Sequence, residues 1–86
     1  MKKINIIMMK SEKFDSVAVL AMKSEEKAAE LKVELNSIAE EKDYNRLRTL
    51  MVENTMIIPS ALQGKLEDLT REAPDVSFYV RQCMLK

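Results

Sequence analysis

The hydrophobic pattern of the first 22 residues predicts a β-hairpin that is apolar on both faces. Side chains alternate between the two faces of a strand, so Ile4, Ile6 and Met8 would point one way and Ile7 and Met9 the other. After a short polar turn, the second strand carries two alternating apolar sets, which are Val17, Val19 and Ala21, and Ala18, Leu20 and Met22. A hairpin with one solvated face alternates apolar and polar residues. Either helices therefore cover both faces, or one face is kept for another chain.

A helix is predicted from Ser24 to about Glu41. Ser24 is a suitable N-cap residue, and Glu25 and Glu26 fall in the first turn, where the helix dipole favours acidic side chains. Apolar residues recur at helical spacing along one side. They are Ala28, Leu31, Leu35, Ile38 and Ala39.

A second helical stretch, residues 44–53, follows Asp43, which could cap it. Leu47, Leu50 and Met51 repeat at helical spacing. The same residues also permit a strand, but the length and the spacing of the arginines favour a helix, which could be continuous with the first. Asn54 is a suitable end for this helix.

An extended connector precedes Pro59, because the residue before a proline avoids helical geometry. Ser60 and Gln63 then fit a capping box, which predicts the start of a further helix. This helix would contain Gly64 and end at Pro74. Its apolar positions are Leu62, Leu66, Leu69 and Ala73.

The final segment, residues 76–85, alternates as a strand. The order of elements predicts an α+β fold in which this C-terminal strand joins the N-terminal β-hairpin in a three-stranded antiparallel sheet, with two or three helices on one face. No internal repeat or linker interrupts the chain, so residues 1–86 are interpreted as a single domain. The predicted core consists of Leu31, Leu35, Ile38, Leu62, Leu66, Leu69, Phe78 and Val80.

The composition argues against catalysis. The chain has no histidine, so it cannot supply a histidine base, a catalytic triad or an imidazole metal ligand. Its single glycine is expected inside a helix, which leaves no phosphate-binding loop. Cys83 would have Arg81 on the same strand face but no proton acceptor beside it. The sequence therefore predicts a protein that is not an enzyme and has no cofactor or metal.

The cysteine and hydrophobicity patterns also bear on location. A lone cysteine excludes an internal disulfide and fits a reducing cytosol. The apolar run after Lys3 is too short for a signal peptide, and no stretch is long enough to span a membrane. We therefore expect a cytoplasmic protein with no membrane partner. Seven methionines accompany only four aromatic residues, and they can act as core filler or as an adaptable binding surface.

Charge is unevenly distributed along this chain of zero net charge. The hairpin is mildly basic and the first helix is acidic. Nucleic-acid binding has some support, because lysines surround the hairpin and Phe14, Tyr44 and Tyr79 could stack on bases. However, no aromatic residue lies within the predicted hairpin strands, where sheet-based readers place their rings, and most nucleic-acid binders are more basic. Nucleic acid is thus a possible but less favoured partner.

Protein contact is the favoured interpretation. A small sheet with two apolar faces and helices for only one of them leaves an apolar patch, and such patches usually mark an interface. Self-association, most simply as a dimer, and binding of another protein both follow from this. Phe14 could be a binding hot spot at the hairpin turn, or it could pack back onto the second strand. The partner-binding candidates are Lys10, Lys13, Phe14, Arg46 and Arg48.

The hairpin, the segment MKSEEKAAELKVEL and the closing segment VSFYVRQCML together resemble small accessory proteins of tailed bacteriophages. That resemblance covers the whole chain and carries over no functional residue. It implies a context of host takeover or counter-defence. The protein would inhibit or modulate a bacterial host protein or defence system by direct contact in the cytoplasm of the host. The alternative is a small RNA-binding protein that inhibits a toxin or nuclease through an RNA-dependent complex.

Overall fold

A computed structural model describes residues 2–11, 14–59, 62–72 and 75–85. It confirms the α+β fold, with an N-terminal hairpin, helices and a C-terminal strand in one antiparallel sheet. The elements in chain order are β1 (Lys2–Ser11), β2 (Phe14–Met22), α1 (Glu25–Glu40), α2 (Tyr44–Glu53), α3 (Leu66–Glu72) and β3 (Val76–Leu85). Within the described ranges, no helix is both long and apolar enough to cross a lipid bilayer.

The sheet has the strand order β2-β1-β3, so the first strand lies in the centre. β3 pairs with β1 in an unbroken antiparallel register, from Lys2 opposite Leu85 to Ser11 opposite Val76. Because paired residues share a face, this register places Ile7 and Met9 on the same side of the sheet as the residues opposite them on β3.

A β-bulge interrupts the pairing of β2 with β1. Ile7 lies opposite Leu20, but the next residue, Met8, lies opposite Ala18, so Val19 is the extra residue. The strict alternation predicted for the second strand is therefore wrong. The sets that it places together are split between the two faces, because one inserted residue reverses the order beyond it.

The first two helices begin at their predicted caps. The Ser24 hydroxyl accepts a hydrogen bond from the backbone N–H of Lys27 at 3.2 Å. An Asp43 carboxylate oxygen accepts one from the backbone N–H of Arg46 at the same distance. Asn54 caps the end of α2, and residues 44–53 are thus helical rather than extended. The two helices are separate, because Lys42 between them has a φ of 57°.

The third helix begins later than predicted. Gly64 has a φ of +116° and lies before α3, not inside a helix. That left-handed backbone is available to glycine and interrupts an α-helix. The Gln63 side chain donates to the Ile58 carbonyl at 2.8 Å, and the other half of the predicted capping box, Ser60, lies outside the described residues. Pro74, predicted to end the helix, also lies outside them.

The core lies between the helices and one face of the sheet, which we call the inner face. The predicted core is confirmed at Leu31, Leu35, Ile38, Leu62, Leu69 and Phe78. Val80 is only partly buried against this core, and the side chain of Leu66 is outside the described set, as is Ala73. The further large members of the core are Ile7, Met9, Val19, Tyr44, Leu47, Met51 and Met56. Three of these are methionines, which supports their use as core filler.

Candidate interaction surface

The face of the sheet turned away from the core is apolar along its centre. On β1, Ile7 and Met9 are buried on the inner face, whereas Ile4, Ile6 and Met8 between them are partly exposed on the other side. We call that other side the outer face. Its described side chains are Ile4, Ile6, Met8 and Lys10 on β1, Ala18 and Ala21 on β2, and Ser77, Tyr79, Arg81 and Cys83 on β3.

The pairing of the strands sets the arrangement of this outer face. Tyr79, 38% exposed, lies opposite Met8, and Arg81 lies opposite Ile6. On the other flank, small alanines lie beside the central strand and leave its larger side chains accessible. The aliphatic row on β1 thus lies in a shallow strip between alanines and the longer side chains of β3.

Charge is divided between the two sides of the molecule. The ionisable groups described on the outer face are basic or weakly acidic, namely Lys10, Arg81, Tyr79 and Cys83, and none is a carboxylate. Glu26, Glu30 and Glu34 are exposed on the solvent side of α1. The outer face therefore presents an apolar strip with positive charge at its margins.

The two edges of the sheet are each covered at one point. On β3, the Asn36 side chain of α1 accepts a hydrogen bond from the Phe78 N–H at 2.7 Å and donates one to the Phe78 carbonyl at 2.9 Å. On β2, the carbonyl of the bulged residue Val19 accepts from the Ile57 N–H at 2.9 Å. These contacts satisfy backbone groups that a sheet edge would otherwise leave unpaired.

The described partner-binding candidates are divided between the sheet and the helical layer. Lys10 is exposed at the hairpin end of the outer face. Lys13 lies outside the described residues, as does the side chain of Phe14, whose backbone pairs with Ser11. The two arginines belong to α2 in the helical layer.

Arg46 and Arg48 also differ from each other. Residues two apart on a helix do not face the same way. The Arg48 guanidinium donates to the carbonyl of Leu62 at 2.7 Å and to that of Gly64, and so it holds the segment before α3 against α2. Arg46 is exposed, and its guanidinium lies 3.9 Å from a carboxylate oxygen of Glu41.

Tyr44 was a candidate for stacking on bases, and that expectation is wrong. Its side chain is buried in the core, where only 2% of the residue is exposed. Burial raises the pKa of the Tyr44 phenol, because the charged phenolate loses contact with water. The nearby Asp75 carboxylate raises this pKa further, because it repels a second negative charge. Tyr79 is the aromatic side chain described on the outer face.

Neither a metal-binding cluster among the described residues nor a similar protein points to a function for this chain. In the described part of the chain, no three or more His, Cys, Asp or Glu side chains gather where they could hold a metal ion. Comparison of the chain with protein-family models, with curated proteins and with solved structures gives no match. The outer face, defined by its own geometry, is the candidate functional site.

Proposed function

We propose that this protein is a non-enzymatic binding protein that inhibits or modulates a protein target by direct contact through the outer face. The observation that carries the proposal is the row formed by Ile4, Ile6 and Met8, which remains partly exposed at the centre of the sheet. These three side chains lie on the central strand of the sheet, between two hydrogen-bonded neighbours. A contiguous apolar patch of this kind usually marks an interaction site.

The dimensions and charge of the outer face indicate what kind of surface fits it. Three strands about 5 Å apart, with about eight residues each at about 3.3 Å, give a face of roughly 15 by 25 Å. The aliphatic row on β1 is the apolar centre of that area, and the polar side chains of β3 make up part of the rest. Lys10 and Arg81 at its margins favour a target with an apolar centre and acidic side chains around it.

The resemblance to small accessory proteins of tailed bacteriophages suggests the setting of this contact. In that setting the target is a bacterial host protein or a component of a defence system. A rigid sheet face suits such a role, because a preformed surface loses little conformational entropy on binding. Met8 adds a side chain that can repack against targets of different shape.

The test introduces a charge on the outer face and compares it with the same change elsewhere. Ile6→Glu places a carboxylate in the apolar strip, and Val52→Glu is the matched control on α2, where Val52 is 64% exposed. Each variant is bound to a support and exposed to bacterial lysate, and its melting temperature is measured by circular dichroism. We expect a stoichiometric protein partner that binds the unmodified protein and Val52→Glu but not Ile6→Glu.

Two results would contradict the proposal. One is a partner that binds Ile6→Glu as well as it binds the unmodified protein while that variant remains folded. The other is the failure of any protein to distinguish Ile6→Glu from Val52→Glu. A purified partner then allows the inhibition itself to be assayed, and the loss of inhibition should follow the loss of binding across the two variants.

RNA binding is a second candidate, because Tyr79 and Arg81 share the outer face with the exposed Lys10. An aromatic ring flanked by basic groups on a sheet is a feature of single-strand RNA recognition. Nuclease treatment and added salt separate the two functions. An RNA-dependent complex is lost with nuclease and weakens steeply with salt, because phosphate contacts release counterions. An apolar protein contact resists both treatments.

A further inference from the structure

The outer edge of β3 carries backbone N–H and C=O groups that point away from β1 at every second residue. The N–H and C=O of Phe78 point away from β1, since both bond to Asn36. The register of β3 with β1 has no bulge, so the same groups of Val80, Gln82 and Met84 also point away from β1. Within the described residues, these groups of Val80, Gln82 and Met84 have no backbone or side-chain partner on that side.

We infer that this edge is a homodimer interface, in which β3 pairs antiparallel with β3 of a second copy about a two-fold axis at Gln82. That register opposes Gln82 to Gln82 of the second copy and Val80 to its Met84, so all three outward-pointing residues are matched. About six backbone hydrogen bonds would form, two for each matched pair. Asn36 already occupies the edge at Phe78, which prevents a register shifted by one pair in that direction.

The side chains beside this edge favour a second copy over an unrelated strand. Met84 is 54% exposed, and Val80 lines an open groove of about 410 Å³ with Ala29 and Lys32 of α1. In the proposed pair, each Met84 enters the groove of the other copy above Val80. The same surface thus supplies both the protruding side chain and the groove, as an isologous two-fold contact requires.

Pairing would also enlarge the outer face described above. Two three-stranded sheets would become one continuous six-stranded sheet, with both outer faces on the side away from the helices. A single outer face is smaller than the roughly 800 Å² per partner of a standard protein interface, and the two outer faces together approach it. The dimer itself does not depend on which target the outer face binds.

The first experiment measures the mass of the protein in solution by sedimentation equilibrium over a range from micromolar to millimolar. The unmodified chain of 9.9 kDa should show a reversible shift to twice that mass. Met84→Pro removes an outward-pointing N–H and leaves the ladder with β1 intact, since proline is tolerated at such edge positions. It should remain at 9.9 kDa, whereas the control Met84→Ala, which keeps the N–H, should still dimerise.

A second experiment tests the register through disulfide formation in a Cys83→Ser background. Gln82→Cys places two thiols opposite each other at the axis, where the Cα separation of about 5.5 Å suits a disulfide. Met84→Cys is the control, because four residues of offset separate the two copies of that position by about 13 Å. Mild oxidation should give a covalent dimer of the Gln82→Cys variant and not of the Met84→Cys variant.

The inference is overturned by a mass of 9.9 kDa at every concentration, or by dimerisation of Met84→Pro equal to that of the unmodified chain. Preferential crosslinking of Met84→Cys would likewise exclude this register. The variant Ile6→Glu separates this inference from the proposed function. It should dimerise normally, so a loss of target binding in that variant and a loss of dimerisation in Met84→Pro are independent results.

Discussion

The two faces of the central strand differ in burial although their residues are alike. Ile7 and Met9 are 0% and 1% exposed on the inner face, whereas Ile6 and Met8 on the outer face remain partly exposed. The difference comes from the helical layer, which covers one face. Hydrophobicity therefore predicts that a face is to be covered, but only the tertiary arrangement decides whether its own chain covers it.

The polar residues sharpen this contrast. Asn5 is buried on the inner face, where its side-chain amide donates to the carbonyls of Met22 at 3.4 Å and Lys23 at 3.2 Å and its oxygen accepts from Gln82 at 3.2 Å. Buried polar groups are stable when they are bonded in this way. The covered face thus holds a buried amide, while the uncovered face beside it holds Ile4 and Ile6. Stability of this fold alone does not account for apolar residues on the outer face.

Alanine at neighbouring positions of β1 tests that contrast directly. Ile7→Ala should destabilise the protein by about 2–5 kcal/mol, because it leaves a cavity in the core. Ile6→Ala should cost less than half as much, since its side chain is already partly exposed. Urea unfolding of both variants measures the two free energies. Equal losses would mean that the outer face is covered by the chain's own residues.

Removal of the Asn36 amide should have the next largest effect. Asn36→Ala loses both hydrogen bonds to Phe78, and we expect a cost of about 1–3 kcal/mol. Asn36→Asp is the matched control, because a carboxylate can accept from the Phe78 N–H but cannot donate to its carbonyl. Its stability in urea should therefore lie between those of Asn36→Ala and the unmodified protein. If Asn36→Ala is as stable as the unmodified protein, α1 is not anchored to β3 through this side chain.

The two arginines of α2 should give a smaller pair of effects. Arg48→Ala removes the hydrogen bonds to the Leu62 and Gly64 carbonyls. It should cost about 1.5–2 kcal/mol, the lower part of the range for charged donors, because Arg48 is partly exposed. Arg46→Ala should change the free energy of unfolding little, because both side chains of the Arg46–Glu41 ion pair are exposed to solvent. The converse order would show that the ion pair, rather than the guanidinium–carbonyl contacts, stabilises α2.

Much of the fold could be predicted because local signals and tertiary packing agree. Ser24 and Asp43 cap the helices that they were expected to cap, and all five apolar residues at helical spacing in α1 are buried. The alternation of residues 76–85 also corresponds to a strand. In each of these elements, the pattern of residues that favours the local structure also places the apolar side chains towards the core.

The parts that could not be predicted depend on backbone geometry without a distinct residue signal. Val19 is an ordinary strand residue, so nothing in the sequence marks it as the bulge that reverses β2. Gly64 looked like a tolerated glycine within a helix, but its positive φ places it before α3. A capping motif is a local signal, and here the left-handed glycine takes precedence over it.

The candidate site was predicted only in outline. The double apolar character of β1 indicated an uncovered face, and Ile4, Ile6 and Met8 lie on it. Individual site residues were harder to assign, because exposure of a charged or aromatic residue depends on contacts far away in the sequence. Arg48 bonds to carbonyls beyond α2, and Tyr44 enters the core. Asn36 had no signal at all, since its partner Phe78 is 42 residues away.

The smallest expected effect concerns the buried and the exposed tyrosine, and it appears only at high pH. The pKa of Tyr44 is raised above its ordinary value of 10.0 by burial and by Asp75, so above pH 10 the unfolded chain loses this proton while the folded protein keeps it. The unfolded state then binds fewer protons, and the free energy of unfolding falls as pH rises. Below pH 10 both states are protonated and this contribution is fully present.

Tyr44→Phe should therefore flatten the decrease in stability above pH 10, whereas Tyr79→Phe on the outer face controls for removal of an exposed phenol. Urea unfolding in steps on either side of pH 10 gives the slope for each variant. The slope is the informative quantity, because Tyr44→Phe also removes the interactions of the hydroxyl at every pH. Equal slopes for Tyr44→Phe and the unmodified protein would show that the Tyr44 phenol reaches solvent as readily in the folded protein as in the unfolded chain.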